Sequence, residues 1–440
     1  MLIRTANQFV HLIAALAAAL PCLPESVSGQ ERSDSAIVVK QILIEGNETT
    51  KDQVILREMS QKVGSVLDTA ALKRDENKIY SLQLFNRVES GFTVRDQQAT
   101  VTIKVSERWY IFPVPIFGFK YRDVKKPFYG AALIHQNFRG RNEKVMASAV
   151  FGYDSWFNLA YQNPKLTEND DIFFRAAIST SSVRNLNVAD AEYDQRVTSG
   201  SVSLGKRFGL FTLASVSLGY DQWSIPDPRP GRTVSSTGMD RFLTMASAFS
   251  YDKRDVREFP TDGSYVGASV TKYGLGESEV NLLRIRLDVR RYEALGDGVA
   301  LGVRAFGTFL SGGASPSYLH AYFGYDERIR GYFSTVREGD NLMAGSIELR
   351  VPILMPRYYT VSLKYLPPEF SVWRYGLYAG FFADTGTIWY RGSTFTELPW
   401  YTGYGAGLQF LLPYSLIVRT EYAFNQKGQG QFVLDFGASF

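Results

Sequence analysis

The sequence predicts a small α+β domain followed by an all-β transmembrane barrel of about sixteen antiparallel strands. Three observations predict it. Apolar residues recur at helical spacing only between residues 36 and 108. Across residues 109–440, segments of about ten residues alternate apolar and polar on a two-residue period. The connections between those segments fall into alternating long and short classes, a pattern a soluble sandwich has no reason to produce. Composition agrees, with 14% aromatic residues and 38 glycines. A mean hydropathy of -0.13 argues against a bundle of membrane-spanning helices. It does not argue against a barrel, whose lipid-facing and lumen-facing residues average out near zero. The formal net charge of +4 is modest and suggests no nucleic-acid partner.

Residues 1–29 read as a signal peptide. Arg4 precedes an apolar run over residues 9–20, too short to span a bilayer, and Pro21, Pro24 and the small-residue stretch "SVSG" come after it, with cleavage expected near Gly29. Cys22 is the single cysteine, and the proline before it suits lipid attachment poorly. The mature chain would carry neither thiol nor disulfide, although it enters an oxidising compartment.

Residues 36–108 form the α+β unit. "IVVKQILIEGN" alternates like a strand and stops at Gly46-Asn47, after which Thr50 is placed to cap a short helix, "KDQVILREM". Asp68 is the expected N-cap of a second helix, "TAALKRDENKIYSLQLF", with Leu72, Ile79, Leu82 and Phe85 at helical spacing. Two strands, "NRVESGFTV" and "ATVTIKVSE", complete the order β-α-α-β-β. That order, with "IEGN" and "LFNRVES" at their places in it, resembles a POTRA domain, a periplasmic module that precedes outer-membrane assembly and secretion barrels. The resemblance implies docking of extended clients. The physical route is strand addition to an exposed sheet edge, for which Asn86, Val88, Phe92 and Val94 are the candidates. An ordinary closed α+β domain serving as a spacer is the alternative.

Sixteen alternating segments complete the chain, centred near Ile116, Ala131, Ala147, Leu159, Phe174, Ser203, Leu213, Ala246, Val266, Ile285, Val303, Ile347, Ala379, Leu408, Val418 and Leu434. In "NLLRIRLDVRRY", Leu283, Ile285, Leu287 and Val289 point one way while Arg284, Arg286, Asp288 and Arg290 point the other. Connections after odd-numbered segments are long, among them "SVRNLNVADAEYDQ" and the stretch over residues 310–341; those after even-numbered ones, such as "FRGRN" and "LPYS", are short. Residues 352–374 read as an exception, a long connection where a short one is expected. At the chain end, Phe432, Leu434, Phe436, Ala438 and Phe440 share one face, expected to meet lipid. A buried soluble edge strand would look similar.

"YDKRDVREFPTDGSYV", "IRGY", "IELRVPI", "FFADTGTIW" and "YGAGLQF" occur in that order, and together they resemble the surface-antigen barrel of the Bam/Tam superfamily. The resemblance implies insertion or translocation of proteins at the bacterial outer membrane, with the POTRA domain in the periplasm and no cofactor. Strand parity turns Glu348 and Asp384 into the lumen of neighbouring strands, directly after the long loop carrying Arg330, Gly331 and Tyr332. The expectation is that this loop folds inward and Arg330 makes fork-type hydrogen bonds to Asp384, and to Glu348 as well; the family implies the same lock. It also implies a lateral gate between the first and last strands. Pro113, Pro115 and Ile116 lie on one side of that seam and Leu434, Gly437 and Phe440 on the other. Prolines at a domain junction explain the first group equally well.

Enzymatic readings find little support. Of the three histidines, His11 lies in the leader, and His135 and His320 are far apart with no cysteine or metal-ligand spacing. No P-loop or nucleophile elbow appears. The expected partners are unfolded outer-membrane or secreted proteins, outer-membrane lipids and accessory lipoproteins. A two-partner secretion pore for one substrate and a passive porin-like barrel are the alternatives, and the single visible POTRA domain points to an accessory or lineage-specific role.

Overall fold

In a computed structural model of the chain, the described residues are 37–119, 125–167, 170–188, 190–276, 278–324, 327–333, 335–361, 371–438 and 440. The expected signal peptide lies outside them. The N-terminal domain comprises β1 (Val38–Glu45), α1 (Asp52–Leu56), α2 (Thr69–Tyr80), β2 (Phe85–Arg95) and β3 (Gln98–Glu107). β3 is central, parallel to β1 and antiparallel to β2. Asp68 caps α2 by accepting the Ala71 N–H at 3.0 Å. The helix stops at Tyr80, short of Leu82 and Phe85, because Gln83 turns the chain at φ 61° and delivers Leu84 and Phe85 to the core directly. Thr50 is no cap. The position before α1 is Lys51, and the Thr50 hydroxyl instead lies 2.8 Å from that of Tyr110 and accepts from Asn137 Nδ2 at 2.9 Å. It ties the domain to the start of the barrel.

The barrel strands are β4 (Ile111–Phe119), β5 (Pro127–Phe138), β6 (Glu143–Gly152), β7 (Ser155–Asn163), β8 (Ile172–Arg184), β9 (Asp194–Phe208), β10 (Thr212–Ser224) and β11 (Met239–Asp252). They continue with β12 (Gly263–Tyr273), β13 (Leu282–Ala294) and β14 (Ala300–Gly312). A small hairpin, β15 (Ala321–Phe323) and β16 (Arg337–Gly339), lies within the long loop. Then come β17 (Asn341–Thr360), β18 (Val372–Trp389), β19 (Tyr401–Leu412), β20 (Leu416–Asn425) and β21 (Gly430–Phe436). Apart from that hairpin they form one 16-stranded sheet. Each of the sixteen centres read from the sequence falls in its own strand. Both ends of the expected connection over residues 352–374 are strand, since β17 runs on to Thr360 and β18 begins at Val372; residues 362–370 lie outside the described residues. Pro352 and Pro356 produce register shifts at Pro352/Leu354 and Leu354/Arg357 without ending the ladder.

Alternation sorts the side chains. Leu204, Leu218, Leu243 and Phe381 stand outward, each more than half exposed, while Arg284, Glu348, Arg350, Asp384 and Glu421 are buried on the inner face. Among the described residues no helix is long and apolar enough to cross a membrane. The strands do the crossing.

The N-terminal domain docks on one mouth of the barrel. Arg207 of β9 donates from both terminal nitrogens to the two Glu58 oxygens at 2.6 Å. The Lys51 N–H reaches Gly140 O at 2.9 Å, and Arg57 donates to Pro164 O at 3.3 Å. Val256, in the turn between β11 and β12, is buried in the domain's own core beside the cluster of Ile55, Ile79 and Phe85. Burial alone would raise the Glu58 carboxyl, but the hydrogen bonds and charge of Arg207 hold it below the usual carboxylate range. The contact is therefore at full strength from neutral pH down to that range and weakens only as pH falls below it. Glu58→Gln leaves Arg207 buried without a counter-charge, at a cost of about 3 to 5 kcal/mol. Hydrogen exchange at Lys51 should then accelerate while the barrel keeps its heat-resistant mobility. Unchanged exchange would show that this pair does not hold the domain.

Candidate functional site

Inner-face parity brings the carboxylates together. On β17 the inward positions include Ser346, Glu348 and Arg350; in register on β18, Asp384 stands opposite Ser346 and Phe382 opposite Glu348. On β19, Gly403 and Gly405 face Asp384 and Phe382, so those strands present bare backbone where their neighbours present side chains. On β20 the inward set includes Arg419 and Glu421, both buried. The result is a ring of acids around a gap the width of a side chain.

Arg330 fills the gap. Its Nε donates to Asp384 Oδ2 and its Nη2 to Asp384 Oδ1, both at 2.8 Å, while its backbone N–H reaches Asp384 Oδ2 at 3.0 Å. Nη1 donates to Glu348 Oε2 at 2.6 Å and to Glu421 Oε1 at 3.4 Å. The guanidinium plane lies over the Phe382 ring, 3.6 Å from its centroid. Burial opposes the charge, yet Asp384, Glu348 and Glu421 raise the Arg330 pKa still further above its ordinary value. Glu348 accepts in addition from Arg350 Nε at 2.8 Å and from Gln409 Nε2 at 3.1 Å. Arg350 then donates to Pro260 O at 2.9 Å, linking the loop's anchor to the turn between β11 and β12. On the other side Arg419 bridges Glu421 at 3.0 Å and Asp435 of β21 at 2.9 Å.

Backbone shape lets the loop descend this far. Gly331 sits at φ +93°, and a Cβ there would also meet Phe424 O at 2.6 Å. On β19, a Cβ at Gly403 would lie 1.6 Å from Arg330 O. On β18, one at Gly386 would lie 2.9 Å from Ile329 Cδ1. Tyr332 packs edge-on against Tyr401, with centroids 5.6 Å apart. The structure thus brings Arg330, Gly331, Tyr332, Asp384 and Glu348 to one place. Glu421, Gly386 and Gly403 escaped the sequence reading. Glu421 shares the inward parity of its strand, and a glycine inside a strand signals close backbone approach.

The remaining candidates divide. β4 and β21 are the two edges of the large sheet, and among the described residues no ladder joins them. Pro113 and Pro115 lie opposite Leu133 and Ala131, Ile116 opposite Gly130, and Leu434 points outward, about half exposed. Phe440 departs from expectation. Gly437, at φ +90°, turns the chain off the strand, so Phe440 is buried and stacks on Tyr292 at 6.1 Å instead of facing lipid. On the N-terminal domain, β2 is a sheet edge. Phe92 and Val94 are exposed on it, but Asn86 and Val88 are buried, Asn86 donating to Glu107 O at 3.3 Å and Val88 packing in the core. Their end of the strand is where the sheet meets its hydrophobic core. Further along, Glu76 of α2 accepts the Ser90 N–H at 3.2 Å.

Comparison with known proteins agrees with this architecture. The Omp85 superfamily domain matches residues 137–440 and the POTRA family, surface antigen variable number repeat, matches residues 37–108. "Outer membrane protein assembly factor BamA" of Nitratidesulfovibrio vulgaris is 23% identical over 323 residues, covering 69% of this chain and 39% of that protein. The chain thus spans about two fifths of that relative's length. BamA from Haemophilus ducreyi lacking POTRA domains 1-3 has a similar fold, with a TM-score of 0.55 at 19% identity, covering 91% of this chain and 84% of that one. CdiB from Escherichia coli also matches, with a TM-score of 0.51 at 11% identity, covering 99% and 96% of the two chains. The barrel lies in the bacterial outer membrane with its POTRA domain in the periplasm, and the chain belongs to the Omp85 superfamily.

Proposed function

We propose that this protein is an outer-membrane insertase or translocase that works without cofactor or ATP. It docks unfolded outer-membrane or secreted proteins on the exposed half of β2, around Phe92 and Val94, and assembles or exports them through the barrel and the seam between β4 and β21. Client folding supplies the free energy. The observation that carries this reading is the pairing of an unladdered seam with a lumen occupied by its own loop. A barrel so built is closed along its axis and weakest at its side. Arg330 is the lock: with its fork on Asp384 and Glu348 in place, the loop segment over residues 327–333 stays in the lumen while the seam works. Dedicated export of one substrate is the second reading, favoured by the cavity of about 790 Å³ left beside the loop.

Charge reversal tests the lock. Arg330→Glu or Asp384→Arg alone costs about 3 to 5 kcal/mol, enough to release the loop from a barrel that stays folded. Each should open a steady conductance and depress client insertion, and the double variant should recover both in part. Silent single variants, or no mutual rescue, would remove the lock. A disulfide between cysteines engineered near Ile116 and Leu434, on outward positions such as Phe117 and Leu434, should abolish insertion until it is reduced. Equal activity of the bridged and reduced forms would exclude a working seam. Depletion followed by a proteomic census of the outer membrane separates the two readings: loss of many barrels marks general insertion, loss of one exported protein marks dedicated secretion.

A further inference from the structure

A cavity of about 370 Å³ lies between the POTRA domain and the barrel mouth, and its lining carries seven cationic side chains against two carboxylates, Glu58 and Asp252. Both carboxylates are already taken. Glu58 holds the Arg207 fork at 2.6 Å, and Asp252 accepts from Arg254 at 2.8 and 2.9 Å with Arg257 3.2 Å away. Three cations, Lys78, Lys144 and Arg175, make no ion pair among the described residues. The Lys78 Nζ is fully buried with no hydrogen-bond partner, and it sits 3.7 Å from the Phe211 ring centroid. Burial, with Arg207 nearby, pushes the Lys78 amine down to about 8 against the opposing pull of Glu58 and Asp75. Lys144 lines the same wall, and Arg175 has only the neutral Gln162 side chain, at 3.0 Å. A concave site lined by one sign of charge focuses its potential on whatever enters. Three cations without an ion pair at a domain junction cost stability that an anionic occupant would return in part.

Two features say what kind of anion fits. Outward residues on the same strands, Phe151 on β6, Ile178 on β8 and Phe208 on β9, put Lys144, Arg175 and Arg207 on the inner face, where the barrel wall screens them from bilayer lipid. The cavity is also no closed cell. Phe173, Arg175 and Leu213 line both it and the lumen cavity of about 790 Å³. Beyond that shared neck, one side of the lumen is paved with small residues, among them Ser203, Ser215, Ser217 and Ser269, and Arg286 faces it with no ion pair among the described residues. A recess that shares its wall with a lumen lined by small residues fits an extended chain better than a compact ion.

We propose that the POTRA–barrel cavity receives acidic, extended segments of the polypeptide client, whose carboxylates pair with Lys78, Lys144 and Arg175 at the entrance to the lumen. The proposal rests on the reading of this protein as one that handles polypeptide clients. The test uses the full-length protein in detergent micelles and the anisotropy of a short fluorescent glutamate peptide, beside a glycine-serine peptide of equal length. The wild type should bind the glutamate peptide selectively and less tightly as salt rises. K144Q combined with R175Q should weaken binding about tenfold or more, whereas K144R should retain it. Equal binding of the two peptides, or an unchanged affinity in the double variant, overturns the proposal. Displacement by inorganic phosphate where chloride of equal ionic strength has no effect overturns it in favour of a small-anion site. Displacement by phosphatidylglycerol micelles overturns it in favour of a lipid site. Insertion of an unfolded barrel into liposomes carrying the wild-type protein is measured alongside. Acceleration there without peptide selectivity fells the cavity proposal alone; selectivity without acceleration fells the insertase reading and leaves the site.

Discussion

Hydrocarbon offers a backbone no hydrogen bonds, and that single constraint organises this molecule. Every amide at membrane depth must find its partner in a neighbouring strand, so the sheet curls through all of β4 to β21 and would ordinarily close on itself. Here the two end strands each pair with one neighbour. The prolines of β4 withhold donors and Gly437 ends β21 early, so the place where the sheet should meet itself is also the place least able to do so. Among the described residues the other barrel strand pairs are regular apart from bulges at β5 and β17.

A closed wall with a weak line needs something in its middle, and burying charge there is costly unless each ion is matched. The loop anchor meets that condition through density. Arg330 is shared by Asp384, Glu348 and Glu421, and each of Glu348 and Glu421 is shared again with another arginine. The arrangement works only because Gly331 and Gly403 let two backbones approach to a distance that any side chain would forbid. Beside β6, β8 and β9, where the barrel meets the N-terminal domain, the balance is reversed and cations are left over. The lumen therefore carries matched ion pairs at the loop anchor and surplus positive charge beside the domain junction.

How much of this was legible depends on period. Two-residue alternation is a local signal, so strand centres and inward parity could be read residue by residue, and parity alone put Glu348 and Asp384 on adjacent inner walls. What failed depends on contacts far apart in the chain. Phe440 looked lipid-facing because its parity says so, but parity stops counting once Gly437 leaves the strand. Thr50 has the chemistry of a helix cap and was claimed instead by Asn137, distant in sequence. Asn86 and Val88 sit on an edge strand, yet an edge has two faces, and theirs is the one packed on the domain core. The connection read over residues 352–374 is too long at both ends, because β17 continues past Pro352 and Pro356 by absorbing bulges that a local pattern does not show.

Val256 has a consequence for biogenesis. The N-terminal domain is made before the turn that supplies this residue, so its hydrophobic interior emerges with a vacancy that only the finished barrel can fill. Maturation of the two parts is thereby coupled: until the β11–β12 turn is delivered, the N-terminal domain lacks one member of its core and is less completely packed.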